Sequence, residues 1–195
     1  MFLRIIAGEF RGRDITGPGS SASTRPTSDR VRESLFDILA RNLRGAKVLD
    51  ICAGTGSLGL EAISRGANFA TFVEGDPRNV KLIHENIERL QVTPKTHVIN
   101  AKLPYAMGRV KGGPYDFVFL DPPYDSDLVI NILPRLRRPK LLSSEAVIIV
   151  ERDRRTPLPK ISSFSVTRRH RIGDTELWFL RLGAPKKNRE DGEGE

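Results

Sequence analysis

The run "KVLDICAGTGSLGLEA" at residues 47–62 narrows the choice of fold more than any other part of the chain. A short apolar segment holding Asp50 leads into Gly54, Gly56 and Gly59, and the helix-forming stretch after them closes at Gly66. This is a buried strand, a tight loop and a helix in succession. A strand this apolar needs cover on both faces, so the chain must build an α/β sheet. The rest of the pattern agrees, with strands expected at 70–75, 97–100, 116–121 and 146–151. Helices are expected at about 29–43, after Pro77 with Val80, Ile83, Ile87 and Leu90 on one face, and more weakly at 127–137. "FSVTRRHRI" and "TELWFLRL" close the chain as an antiparallel pair. The fold class expected is α/β: a mostly parallel seven-stranded sheet with helices on both faces.

Ahead of this domain (19–183), residues 1–18 carry "LRIIAGEFRGRDIT", two short strands about a Gly-containing turn. Arg4, Arg11 and Arg13 make it a basic β-hairpin. "GPGSSASTRPTS" (17–28) reads as a loop, and the charged segment 184–195 as a disordered tail. The net charge of +8 points to a polyanionic partner. With Cys52 as the only cysteine there is no internal disulfide, which fits a reducing, cytoplasmic setting. No signal peptide or membrane span is expected.

Two cofactors compete for the loop. Gly54, Gly56 and Gly59 match the dinucleotide fingerprint G-x-G-x-x-G, and Glu74 follows the first of them by 20 positions. A nicotinamide or flavin is therefore a candidate. Asp50 opposes it, because a carboxylate just ahead of the loop would repel a pyrophosphate in a poorly solvated cleft. S-adenosylmethionine has no phosphate and carries a cationic sulfonium and amino group. Glu74 suits either ligand, since both present a ribose diol.

The strand at 116–121 runs into "LDPPYD" (120–125). Two prolines remove two backbone donors, so this corner can only accept hydrogen bonds. At the end of the fourth strand it would face the reactive end of the cofactor. The exocyclic amine of a nucleobase is a poor nucleophile because its lone pair is delocalised. Asp121 and the carbonyl of Pro122 can each accept one N–H and aim that lone pair at a sulfonium methyl. Tyr124 can stack on the base. Such a corner reads an amine and not a particular ring.

The "D-x-x-A-G-T-G-x-x-G" loop with an Asp-Pro-Pro-Tyr tetrapeptide resembles the nucleic-acid amino-methyltransferases. Together with "RIIAGEFRGRDI" and "TRPTSDRVRESLFDIL", the chain is similar over about residues 3–182 to the RsmD-like family, bacterial 16S ribosomal RNA guanine N2-methyltransferases. The resemblance implies a Rossmann-like S-adenosylmethionine-dependent methyltransferase fold and a 16S rRNA or 30S subunit partner. It implies Asp50, Gly54 and Gly56 at the methionine end of the cofactor, Glu74 on the ribose, and Asn100 with Ala101 beside the adenine. Arg25, Pro26 and Thr27 would close the cofactor pocket, and Asp121, Pro122, Pro123 and Tyr124 would hold the amine. The basic hairpin would grip RNA. One departure is Ile172, where such family members often have an aromatic residue before Gly-Asp-Thr.

Other residues carry weaker signals. Cys52 sits in the cofactor loop, a poor place for a catalytic thiol. His84, His97 and His170 have no ligand spacing, so no metal is expected. Glu61 is expected to be a helix-surface or structural residue. The Arg-rich stretches "RLRRPK" (135–140), "ERDRR" (151–155) and "RRHR" (168–171) add to a phosphate-binding surface. A monomer is expected. An N6-adenine or N4-cytosine methyltransferase and a non-catalytic RNA-binding assembly factor are the alternatives.

Overall fold

A computed structural model describes residues 2–18, 28–39, 42–122, 127–156 and 163–183. After an antiparallel hairpin, β1 (Phe2–Arg4) with β2 (Asp14–Thr16), come α1 (Asp29–Leu39), β3 (Lys47–Ile51), α2 (Ser57–Ser64), β4 (Phe69–Glu74) and α3 (Pro77–Leu90). The chain continues with β5 (Thr96–Asn100), β6 (Tyr115–Leu120), α4 (Leu128–Leu136), β7 (Leu142–Asp153), β8 (Phe164–Ile172) and β9 (Thr175–Leu182). Short 3-10 turns lie at Thr93–Lys95 and Tyr105–Arg109.

The seven-stranded sheet has the order β5-β4-β3-β6-β7-β9-β8, with β9 antiparallel to β7 and to β8 and the other pairings parallel. From β3 the chain winds outward through β4 and β5, then returns to lay β6 on the other side of β3. The topological switch point therefore lies between β3 and β6, and a crevice opens beyond their carboxyl ends. Helices α1, α2 and α3 pack one face through Leu35, Phe36, Leu60, Ile63, Ile83 and Ile87. On the other face, α4 buries Val129, Ile132, Leu133 and Leu136.

Several boundaries differ from the sequence expectation. The described part of α1 runs to Leu39, and by Asn42, which donates to the Leu39 carbonyl, the chain is in a turn. β7 extends from Leu142 to Asp153, because β9 pairs with its final residues up to Asp153↔Thr175. The turn at Tyr105–Arg109 carries no strong helical period and was not expected. The described residues contain no helix long and apolar enough to cross a membrane.

The hairpin is joined to the sheet domain by buried contacts. Leu3, Ile5, Phe10 and Ile15 belong to the same apolar cluster as α1 and α2. Gly8 takes φ +86°, and a Cβ there would lie 1.9 Å from the Ser64 carbonyl oxygen, so only glycine lets the turn lie against α2. Glu61 is wholly buried beneath the hairpin, where its carboxylate accepts from the N–H of Ile6 (2.8 Å) and Ala7 (3.0 Å) and from Arg65 Nε (2.7 Å). Of its two expected roles the structural one holds; it is not on the surface.

Candidate active site at the switch point

The site is built where β3, β4 and β6 end side by side. Register places Ile51 opposite both Val73 and Leu120, so the next residues, Cys52, Glu74 and Asp121, follow on three adjacent strands. Cys52 leaves the strand with φ +63° and donates its N–H to the Val73 carbonyl at 3.0 Å. This left-handed residue turns the chain into the glycine loop.

The three glycines have different physical reasons. Gly54 takes φ +55°, and a Cβ there would meet nothing within 4 Å, so its backbone borders open space. Gly59 has ordinary helical geometry, yet a Cβ would stand 2.3 Å from the Phe72 ring, so its hydrogen lets α2 press onto β4. Gly56 lies between these cases, with φ +77° and a Cβ position 3.2 Å from Phe72.

Glu74 ties the loop to β4. Its Oε2 accepts from Gly54 N–H, and its Oε1 accepts from Gly75 and Asp76 N–H, all at 2.8 Å. A carboxylate has about four acceptor positions, so room for one further donor remains among the described contacts. Ala101 N–H donates to the Glu74 carbonyl at 3.0 Å and brings the end of β5, with exposed Asn100, to the same rim.

Asp50 is buried, and its Oδ2 accepts from Gly59 N–H at 2.9 Å, capping the first turn of α2 from the neighbouring strand. Burial raises its pKa to about 8, against the lowering effect of that hydrogen bond, and the charges of Asp121 and Glu74 raise it further. Burial and the same carboxylates also hold the Cys52 thiol well above its ordinary pKa. A neutral thiol is a poor nucleophile.

Asp121 is half-buried just past β6, with its N–H 3.4 Å from the Ile51 carbonyl, and Pro122 behind it is buried. Pro123, Tyr124, Arg25, Pro26, Thr27 and the tail lie outside the described residues. Arg11 and Arg13 are exposed on the hairpin, Arg13 over the Phe10 ring at 5.3 Å, while Arg4 lies 3.7 Å from Asp14. What the sequence reading missed is the capping role of Asp50 and the left-handed Cys52. The spacing of Asp50 to Gly59 carried the first signal; nothing marked the second.

Residues 3–181 match the family described as conserved hypothetical protein 95. The chain is 38% identical over 159 residues to ribosomal RNA small subunit methyltransferase D of Escherichia coli K12, covering 82% of this chain and 79% of that protein. The chain belongs to the RsmD-like family. Its Haemophilus influenzae relative of the same name is 37% identical over 158 residues, covering 80% of this chain and 81% of that one. Among solved structures, the Escherichia coli candidate methyltransferase yhhF matches with TM-score 0.81 and 34% identity over 94% of this chain and 99% of that chain. A Thermus thermophilus protein matches with TM-score 0.74 and 30% identity, covering 92% and 99%. The RsmD-like fold is thus Rossmann-like, and the hairpin expected from sequence is present as β1 and β2.

Proposed function

We propose that this chain transfers the methyl group of S-adenosylmethionine to the exocyclic N2 amine of a guanine in 16S ribosomal RNA. Membership of a family whose named relatives methylate small-subunit ribosomal RNA supports the reaction class and the RNA. The observation that carries the cofactor is the convergence of Asp50, Glu74 and Asp121 around the glycine loop, close enough that two of them raise the pKa of the third. Such a site disfavours a pyrophosphate and suits a cation, so a dinucleotide fits badly and S-adenosylmethionine fits well. When bound, that cofactor supplies a methyl group already activated by its sulfonium.

The protein's part is alignment and charge. Gly54 leaves backbone room for the methionine end, which Gly56 also borders, and the spare acceptor position of Glu74 takes a ribose hydroxyl. Arg25 and Thr27 close the pocket, while Asn100 and Ala101 border the adenine. Asp121 and the Pro122 carbonyl accept the two N–H bonds of the amine, turning its lone pair toward the methyl, with Tyr124 stacked on the base and Pro123 stiffening the corner. As the N–C bond forms, the sulfonium's S–C bond breaks and its electron pair stays on sulfur as a neutral thioether; the nitrogen then carries an extra proton, which the Asp121 carboxylate takes. Arg4, Arg11 and Arg13 contact RNA phosphates from the hairpin.

The test is transfer of labelled methyl to undermethylated 30S particles, free 16S RNA and duplex DNA, with nucleoside analysis. N2-methylguanosine in the ribosomal samples alone is expected. Methyladenine or methylcytosine overturns the base, and cofactor binding without transfer to any substrate favours the assembly factor.

The pKa of Asp50 yields a second prediction. At about 8 in the free protein, Asp50 holds its proton at pH 7. A cation bound nearby favours the ionised form, so binding lowers that pKa and releases a proton. Affinity for S-adenosylmethionine should therefore rise with pH toward 8 and flatten above it, by at most about tenfold per unit. Calorimetry at pH 7 in two buffers of different ionisation enthalpy should show release of up to about one proton; a heat independent of buffer would remove Asp50 from cofactor binding.

A further inference from the structure

The charge of the chain includes one concentration far from the switch point. "RLRRPK" (135–140) spans the last turn of α4 and the residues after it, and meets, at the amino-terminal end of the sheet, the end of the Tyr105–Arg109 turn and the segment that follows. Arg138 staples them, donating from Nη1 to the Met107 carbonyl at 3.1 Å and from Nη2 to the Val110 carbonyl. Tyr115 N–H donates to the Leu141 carbonyl at 2.8 Å, and a Cβ on Gly113 would lie 2.5 Å from the Lys140 carbonyl oxygen. Exposed Arg109 and Lys111 on one segment thereby join exposed Arg135, Arg137 and Lys140 on the other. Lys47 Nζ, 3.1 Å from the Gly112 carbonyl, borders the same patch.

Among the described residues none of these cations forms an ion pair with a carboxylate. In the other Arg-rich stretches, Arg154, Arg155 and Arg171 lie against Asp174, Asp153 and Glu176, while Arg168 and Arg169 lie over the rings of Phe179 and Trp178. A favourable helix dipole accounts for Arg135 in the last turn of α4 and for Arg137 at its C-cap, but not for Lys111 or Lys140. Gathering like charges that form no ion pairs of their own opposes folding and attracts a polyanion.

We infer that this surface binds the phosphodiester backbone of RNA at a distance from the methylated base. The inference rests on the RNA substrate proposed above. β6 runs from Tyr115 beside the patch to Leu120 beside Asp121, six residues or roughly 20 Å. A guanine held at Asp121 and a phosphate held here are about six nucleotides of stacked strand apart or more, so the surface favours an RNA long or folded enough to span both over a shorter one.

The test reverses three exposed charges, Arg109→Glu, Lys111→Glu and Arg137→Glu, and leaves the Arg138 staple intact. Binding of 16S RNA should weaken at least about tenfold at ~0.1 M salt, and the slope of log K against log salt should flatten by about 2–3. Transfer to a short single-stranded oligonucleotide carrying the target guanine, and affinity for S-adenosylmethionine, should stay within about twofold. The matching triple Gln variant, with thermal unfolding checked, should show a smaller change of the same kind. An unchanged salt slope overturns the inference, and so does equal loss on long and short RNA. Loss of binding to 30S particles but not to protein-free 16S RNA overturns it in favour of an acidic protein partner. If the wild-type protein methylates no RNA, the proposed function falls, while the salt slope for 16S RNA still decides the role of this surface.

Discussion

Replacing Asp121 by Ala should lower methyl transfer at least about a hundredfold while leaving affinity for S-adenosylmethionine within a few fold. A factor of a hundred is about 2.7 kcal/mol of transition-state stabilisation, the scale of one well-placed polar group at a reacting centre. The reason lies in the geometry: Asp121 follows Leu120 at the end of β6, past the strand and beside the buried Pro122, whereas Glu74 and Asp50 hold the glycine loop. Asp121→Asn keeps one acceptor oxygen and should fall between Ala and wild type. A second readout comes from charge. Because Asp121 helps raise the Asp50 pKa, its removal should shift the pH dependence of cofactor binding downward. Single-turnover kinetics with calorimetry separates the two effects, and equal loss of transfer and cofactor affinity would assign Asp121 to the cofactor instead of the amine.

Glu61→Ala should cost about 3–5 kcal/mol of stability and loosen the hairpin from the domain. The change strands three donors, two backbone N–H groups of the hairpin and the Arg65 guanidinium, around a wholly buried site. Leaving such groups unpaired is more expensive than the net value of each bond. For a chain of this length the loss corresponds to roughly 6–20 °C in Tm. Urea unfolding gives the magnitude, and faster hydrogen exchange at the Ile6 and Ala7 amides would locate it. A loss below about 1 kcal/mol would show that the hairpin does not depend on this carboxylate. RNA binding should weaken with it if the hairpin grips the substrate.

Much of the layout of the candidate site was legible because its signals are local. Asp50, the glycine loop and Glu74 stand at fixed offsets within one strand–loop–helix–strand unit, and Asp121 with its prolines ends a strand whose apolar run is unmistakable. Local backbone chemistry dictates these, so spacing is enough to find them. The left-handed Cys52 was not legible, since its conformation follows from the pairing with Val73 and not from its own preference.

The long-range partners were not legible either. Glu61 has the profile of a surface helix residue until the hairpin folds over it, and Arg138 belongs to an ordinary basic run until its guanidinium meets carbonyls some thirty residues earlier. The periodicity of the chain by itself determined an α/β sheet with its ligand crevice at the end of β3, because side-chain burial repeats within each element. Only the tertiary structure decided which charges are paired, which lie together and which remain free. Ion pairing depends on separations of a few ångströms between segments distant in the chain, and no sequence period records those.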